Sequence, residues 1–223
     1  MASTLRDYLF YEEPGITLYC GDCREVLPLL ARVDLLLTDP PYGIGASHVK
    51  RGGRQDGNSL APSKEYPIAH WDDESASRET LLLAISKSER AIIWGGNYFP
   101  LPPNSCWLVW DKETGSNGYA DAELAWTNLP GAVRMIHHQW KGMFQAFDEE
   151  RWHPTQKPVP VMRWAMERAG EWVNIVLDCF VGSGTTLIAA KEMSRRAIGI
   201  EIEPKYCEIA VKRLRQEVLT FRG

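Results

Sequence analysis

The chain has 223 residues, 44% of them apolar and 24% charged, which excludes a disordered or fibrous protein and fits a single domain over residues 1–223. No stretch approaches the roughly 18 apolar residues that cross a bilayer, and the opening segment lacks the basic start and apolar core of a secretory leader. The net charge of −4 excludes a uniformly basic nucleic-acid coat but leaves room for a local basic groove.

The pattern along the chain is α/β, with no internal repeat. A first strand is expected at residues 16–20, turning at Gly21 and Asp22 into a short amphipathic helix over 24–31. Residues 33–38 are nearly all apolar, as in a strand covered on both faces. That strand stops at Asp39-Pro40-Pro41-Tyr42, because prolines cannot donate to a ladder. Residues 43–75 are rich in Gly, Ser, Asn and Pro and read as a long mobile loop of the functional kind. A helix over 77–88 and a strand over 91–94 follow. Further strands are expected at 106–110, 122–126 and 132–140, then a helix over 159–169. Residues 174–178 form another buried-type strand, followed by a Gly-rich turn and a helix over 185–196. A strand at 197–201 and a helix over 204–217 complete the chain. Strands alternating with helices predict a mostly parallel central sheet with helices on both faces. Ligands of such sheets sit at the carboxyl ends of the strands, and every unusual motif here follows such an end.

Three motifs carry chemistry. The first runs Asp178-Cys179-Phe180-Val181-Gly182-Ser183-Gly184, between a buried strand and a helix. Its glycines allow a tight turn and close approach of a ligand. No Lys follows Gly184, so it is not a phosphate-binding P-loop, and it is not GxGxxG. Glu201 ends the next strand, where an acid can bind both hydroxyls of a ribose. A nucleoside with no obligatory phosphate fits best; a plain Gly-rich turn with a solvated acid is the bland alternative. The second motif is Asp39 to Tyr42. A carboxylate beside a Pro carbonyl gives two acceptors facing one way, which suits the two N–H donors of an exocyclic amine. Tyr42 can stack on the flat base that carries the amine. The bland alternative is a proline-rich turn. The third, His153-Pro154-Thr155-Gln156-Lys157-Pro158, opens a helix, where Thr155 and Lys157 could hold a carboxylate.

Taken together, the three motifs resemble the amino-group DNA methyltransferases that use S-adenosylmethionine. The resemblance spans about residues 16–213, and the catalytic motif precedes the cofactor loop, as in the permuted "β" arrangement of that family. It implies a Rossmann-like methyltransferase fold. It implies that Asp178, Phe180, Gly182, Ser183, Gly184 and Thr185 wrap the cofactor and that Glu201 holds its ribose. Asp22 then lies near the adenine ring, Thr155 and Lys157 near the methionine tail, and Asp39 borders the cofactor. Asp39, Pro40, Pro41 and Tyr42 form the catalytic face. Asp39 and the Pro40 carbonyl would bind the target amine, and Tyr42 would stack on a base flipped out of double-stranded DNA. Asp at the first motif position is the usual form for adenine N6, with cytosine N4 the alternative. A non-catalytic DNA- or nucleoside-binding protein of the same fold is the reading from another class.

Cytosine carbon-5 methylation is excluded by its need for a Pro-Cys nucleophile: none of Cys20, Cys23, Cys106, Cys179 and Cys207 follows a proline. The odd count of cysteines reads as reduced thiols in a cytoplasmic setting, and a CxxC pair without a second pair makes a metal site unexpected. Trp94, Trp107, Trp110 and Trp126 lie in expected strands and read as structural. Lys50, Arg51 and Arg54 in the long loop, and Trp140 and Lys141 further on, are the expected DNA contacts. Only residues 131–152 remain for target recognition. That is small for reading several base pairs, so a short target, or recognition shared across a homodimer, is expected.

Overall fold

The structure is a computed structural model that describes residues 3–43, 75–113, 120–139 and 156–216. Among the described residues, one sheet holds nine strands: β1 (Leu9–Glu13), β2 (Ile16–Cys20), β3 (Val33–Thr38), β4 (Ser88–Trp94), β5 (Trp107–Asp111), β6 (Ala122–Thr127), β7 (Arg134–His137), β8 (Ile175–Asp178) and β9 (Arg196–Glu201). Their spatial order is β1-β2-β9-β8-β3-β4-β6-β5-β7. From β2 to β4 every pairing is parallel. β6 runs antiparallel to both β4 and β5, and β1 antiparallel to β2. β7 returns parallel to β5. The sheet is therefore a mostly parallel Rossmann-like one, with two strands reversed.

Alternation along the central strands explains why both faces are covered. Leu35 and Leu37 of β3 pack into one apolar cluster, with α4 (Val159–Ala169), α5 (Thr185–Glu192) and α6 (Pro204–Leu214). Leu36, between them, packs into the opposite cluster, with Val26 of α2 (Cys23–Val26) and Ala84 of α3 (Arg78–Ser86). β4 and β8 alternate in the same way: Ile92 and Val176 face the first layer, Ile93 and Leu177 the second. All three leucines of β3 are fully buried, each contributing about 1.5–3 kcal/mol of apolar burial.

Several boundaries differ from the sequence reading. A short helix, α1 (Leu5–Tyr8), and β1 were not expected; β1 hairpins onto β2 through Gly15 at φ +87°. The helix expected over 24–31 is a single α turn followed by a 3-10 turn at Leu27–Leu29, because Pro28 cannot donate to an α ladder. The helix expected to run to 196 stops at Glu192, where Ser194 takes φ +55°. β7 covers only four residues of the strand expected over 132–140.

The topology places the site. β2, β9, β8, β3, β4 and β5 share one direction, so their carboxyl ends line one edge of the sheet. The reversed β6 brings its amino end, with Glu123, to that same edge.

Candidate active site

A cleft of about 470 Å³ opens along this edge, a size typical of small-molecule sites. Asp22, Asp39, Lys157, Phe180, Gly182 and Glu201 are among the residues that line it. The two motifs that lie far apart in sequence meet there because β3 and β8 are neighbours. Thr38 Oγ1 donates to Asp178 Oδ1 at 2.7 Å, one residue before Asp39.

The glycine loop after β8 is held rigid from below. Asp178 also accepts from the Phe180 amide (3.0 Å) and from Thr186 Oγ1 (2.5 Å). Burial pushes its carboxyl up to about 6 despite these donors. Glu201 Oε2 accepts from the Gly182 amide at 2.7 Å and Oε1 from the Glu203 amide at 2.9 Å, and burial pushes this carboxyl up to about 7. Gly184 has φ +88°, and a Cβ there would meet Ala210 Cβ of α6 at 2.9 Å. Gly182, at φ +52°, faces open space on the cleft side, a cradle for a flat ligand. Arg213 of α6 is buried beneath the loop, and its Nη1 donates to the Ser183 carbonyl at 2.7 Å and to Ser183 Oγ at 3.0 Å. Gln156 is buried beside it and accepts from Ser183 Oγ at 3.2 Å. At the cleft's far side Asp22 caps α2 through the Arg24 amide (2.8 Å), and the Arg24 guanidinium holds its carboxyl below the usual range.

The Asp39 turn is tied down as firmly. Pro40 is buried, and the Pro41 carbonyl accepts from the Ala76 amide at 3.1 Å. Asp39 Oδ1 accepts from the Tyr42 hydroxyl at 2.5 Å, and Oδ2 from Lys157 Nζ at 2.6 Å. Lys157 lies within 2.8 Å of Glu123 Oε2 as well. Glu123 Oε1 in turn pairs with Lys112 Nζ at 2.6 Å. The result is a partly buried chain of alternating charge, Lys112, Glu123, Lys157, Asp39, with Lys157 the most deeply buried. The rings of Tyr42 and Trp94 flank the Lys157 ammonium at 5.7 and 5.8 Å. Burial alone would lower the Lys157 ammonium, but Asp39 and Glu123 hold it well above its ordinary value. Burial raises Asp39, with Lys157 opposing and Glu123 adding to the rise. Burial would also raise Glu123, yet the ammonium groups of Lys157 and Lys112 hold it down to about 2. Tyr42 stacks on Tyr98 with ring centroids 4.8 Å apart, and Gly95 leaves the space that the Tyr42 ring fills.

The structure thus brings Asp22, Asp39, Pro41, Lys157, Asp178, Phe180, Gly182, Ser183, Thr185 and Glu201 to one cleft; Pro40, Tyr42 and Gly184 adjoin these residues in the chain but do not line it. Lys157 gives its ammonium to Asp39 and Glu123. Thr155, Lys50, Arg51, Arg54, Trp140 and Lys141 lie outside the described residues, as do most of the long loop and most of residues 131–152. Trp94, Trp110 and Trp126 are buried, as expected of structural residues. Sequence reading missed Glu123, Lys112, Arg213 and Tyr98. Arg213 gave a signal: it sits among the apolar positions of an amphipathic helix, on the side that faces the core.

Comparison with known proteins bears on what this cleft does. A DNA methylase family profile matches residues 93–212, more than half of the chain. The type II methyltransferase M.ScaI of Streptomyces caespitosus is 39% identical, over 93% of this chain and 84% of its own length. Among solved structures, the M1.HpyAVI complex with S-adenosylmethionine superimposes with a TM-score of 0.57 at 23% identity, covering 90% of this chain and 99% of that one. The cytosine-N4-specific PvuII DNA methyltransferase gives the same score at 16% identity, over 92% of this chain and 88% of its own, and both share the fold. The chain belongs to the N6/N4 DNA methyltransferase family, whose methyl donor is S-adenosylmethionine.

Proposed function

We propose that this chain methylates the N6 amino group of adenine in double-stranded DNA at a specific site. The observation that carries the reading is Asp39. Its carboxylate stands at the carboxyl edge of the sheet, in the cleft that the glycine loop and Glu201 also line. When bound, S-adenosylmethionine supplies an electrophilic methyl group. The residues of the chain do the rest. Asp178, Phe180 and the Gly182–Gly184 turn shape the cofactor seat, Glu201 accepts the ribose hydroxyls, and Asp22 faces the adenine end. Asp39 and the Pro40 carbonyl accept the two hydrogens of the target amine. This turns its nitrogen lone pair toward the methyl group, and in-line positioning supplies much of the rate. Tyr42 offers a stacking face to the extruded base once Tyr98 yields it, which offsets part of the few kcal/mol that flipping costs. Asp39 as the first motif residue favours adenine N6 over cytosine N4.

The test is transfer of a labelled methyl group from S-adenosylmethionine to unmethylated duplex DNA, followed by digestion and nucleoside chromatography. Label in N6-methyladenine is the expected result; label in N4-methylcytosine overturns the base but keeps the chemistry. Asp39→Ala is expected to abolish transfer, a loss of about 100-fold or more, while cofactor binding by calorimetry stays near wild type. Wild-type turnover by that variant would sink the catalytic assignment.

A further inference from the structure

Methyl transfer moves positive charge. The amine's lone pair forms the new C–N bond, the C–S bonding pair returns to sulfur, and the cationic charge passes from sulfur to the nitrogen. A proton then leaves that nitrogen for water. The nitrogen is bound at Asp39, so the field around Asp39 decides how well this charge is accepted. A lysine ammonium 2.6 Å from the same carboxylate opposes it. Left unbalanced, Lys157 would cancel Asp39 at the moment its charge is needed.

Glu123 supplies the balance. Its carboxylate bridges two ammonium groups, Lys157 at 2.8 Å and Lys112 at 2.6 Å, from the amino end of the reversed strand β6. The charged and titratable groups facing Asp39 are Lys157 before α4, Tyr42 on its own turn, Glu123 on β6 and, more distantly, Asp178 on β8. Of these, Glu123 is the one that binds Lys157 without serving the amine. We propose that Glu123 is a positioning residue for the reaction: it neutralises and anchors Lys157, so that Asp39 presents an uncancelled negative charge to the target amine. The inference rests on Asp39 being the amine-binding carboxylate.

The experiment uses the full chain with substitutions E123Q, K112M and D39N. It reads kcat and KM for duplex DNA, cofactor affinity by calorimetry and melting by circular dichroism. It also follows the Lys157 ammonium by lysine side-chain NMR titration without DNA. E123Q leaves two ammonium groups facing one carboxylate. Its kcat is expected to fall about 10- to 100-fold, with KM and cofactor affinity within about threefold of wild type. Lys157 should titrate lower, and the acid limb of kcat should move to lower pH, because Glu123 raises both Lys157 and Asp39. K112M acts with the opposite sign. Glu123 then serves Lys157 alone, so Lys157 titrates higher and transfer is not slowed. A purely structural Glu123 would lower melting in E123Q but leave kcat per folded enzyme at the wild-type value, since the Lys157 titration moves in either case. E123Q with wild-type kcat, an unmoved Lys157, or a well-folded K112M slower than wild type overturns the proposal. If E123Q does not fold, K112M alone decides. An active D39N would instead sink the Asp39 reading itself; an inactive D39N beside an unaffected E123Q sinks only this one.

Discussion

Glu201 shows how one residue serves two states. Its carboxylate is anchored by two backbone amides, yet burial pushes it up to about 7, above the 4.5 of a free glutamate. The folded protein therefore holds a proton there that the unfolded chain releases. Stability from this group is full below about pH 4.5 and is lost as pH rises through 7, on the order of 3 kcal/mol in all. A ligand whose hydroxyls donate to the ionised carboxylate reverses that preference. Affinity for S-adenosylmethionine is thus expected to rise several-fold between pH 6 and pH 8, roughly the span of the titration. Glu201→Gln should be weaker at pH 8 and flat across the range. Calorimetry at three pH values checks this, and a wild-type affinity that falls with pH would refute the ribose role. Arg213 acts at the same scale, pinning Ser183 from beneath. Its place on the apolar side of an amphipathic helix marks it as inward-facing, and the fold shows that it meets the glycine loop there.

At the scale of elements, the packing of α5 on α6 depends on the missing side chain of Gly184. The residue caps α5 in the left-handed region at φ +88°, and an added Cβ would sit 2.9 Å from Ala210 Cβ. Gly184→Ala is expected to cost about 1–3 kcal/mol, lowering the melting temperature by several degrees and weakening cofactor binding with it. Unchanged melting would mean that the loop relaxes freely. The parallel strands were legible in sequence because doubly covered strands are runs of Val, Leu and Ile, as in β3, and α4 matched its expected bounds. The glycine loop and the Asp39 turn were legible for a related reason: each stands at the carboxyl end of such a run. Glu123 was not, because ligand groups were sought at carboxyl ends and β6 is reversed. The sequence of residues 122–126 marks a strand but not its direction, which is set by pairing partners distant in sequence. β1 was missed because its exposed, mixed residues carry no clean alternation.

For the whole molecule, the stretch expected to recognise DNA, residues 131–152, is short, and most of it lies outside the described residues. We propose a short target, or one read by two copies together, since one bidentate side chain distinguishes about one base pair. Mapping methylated positions by sequencing should show a short or relaxed site. A strict target of six or more base pairs methylated by a chain that sediments as a monomer would contradict this. The order of strands has a consequence for the life of the protein on the ribosome. β8 and β9 are inserted between β2 and β3, so strands made early are joined only by strands made late. Until residues 196–201 emerge, β2 has only the small β1 hairpin beside it, and β3 lacks its neighbour on one side. A nascent chain therefore carries two unfilled sheet edges until β8 and β9 have emerged, and the cleft cannot close before then.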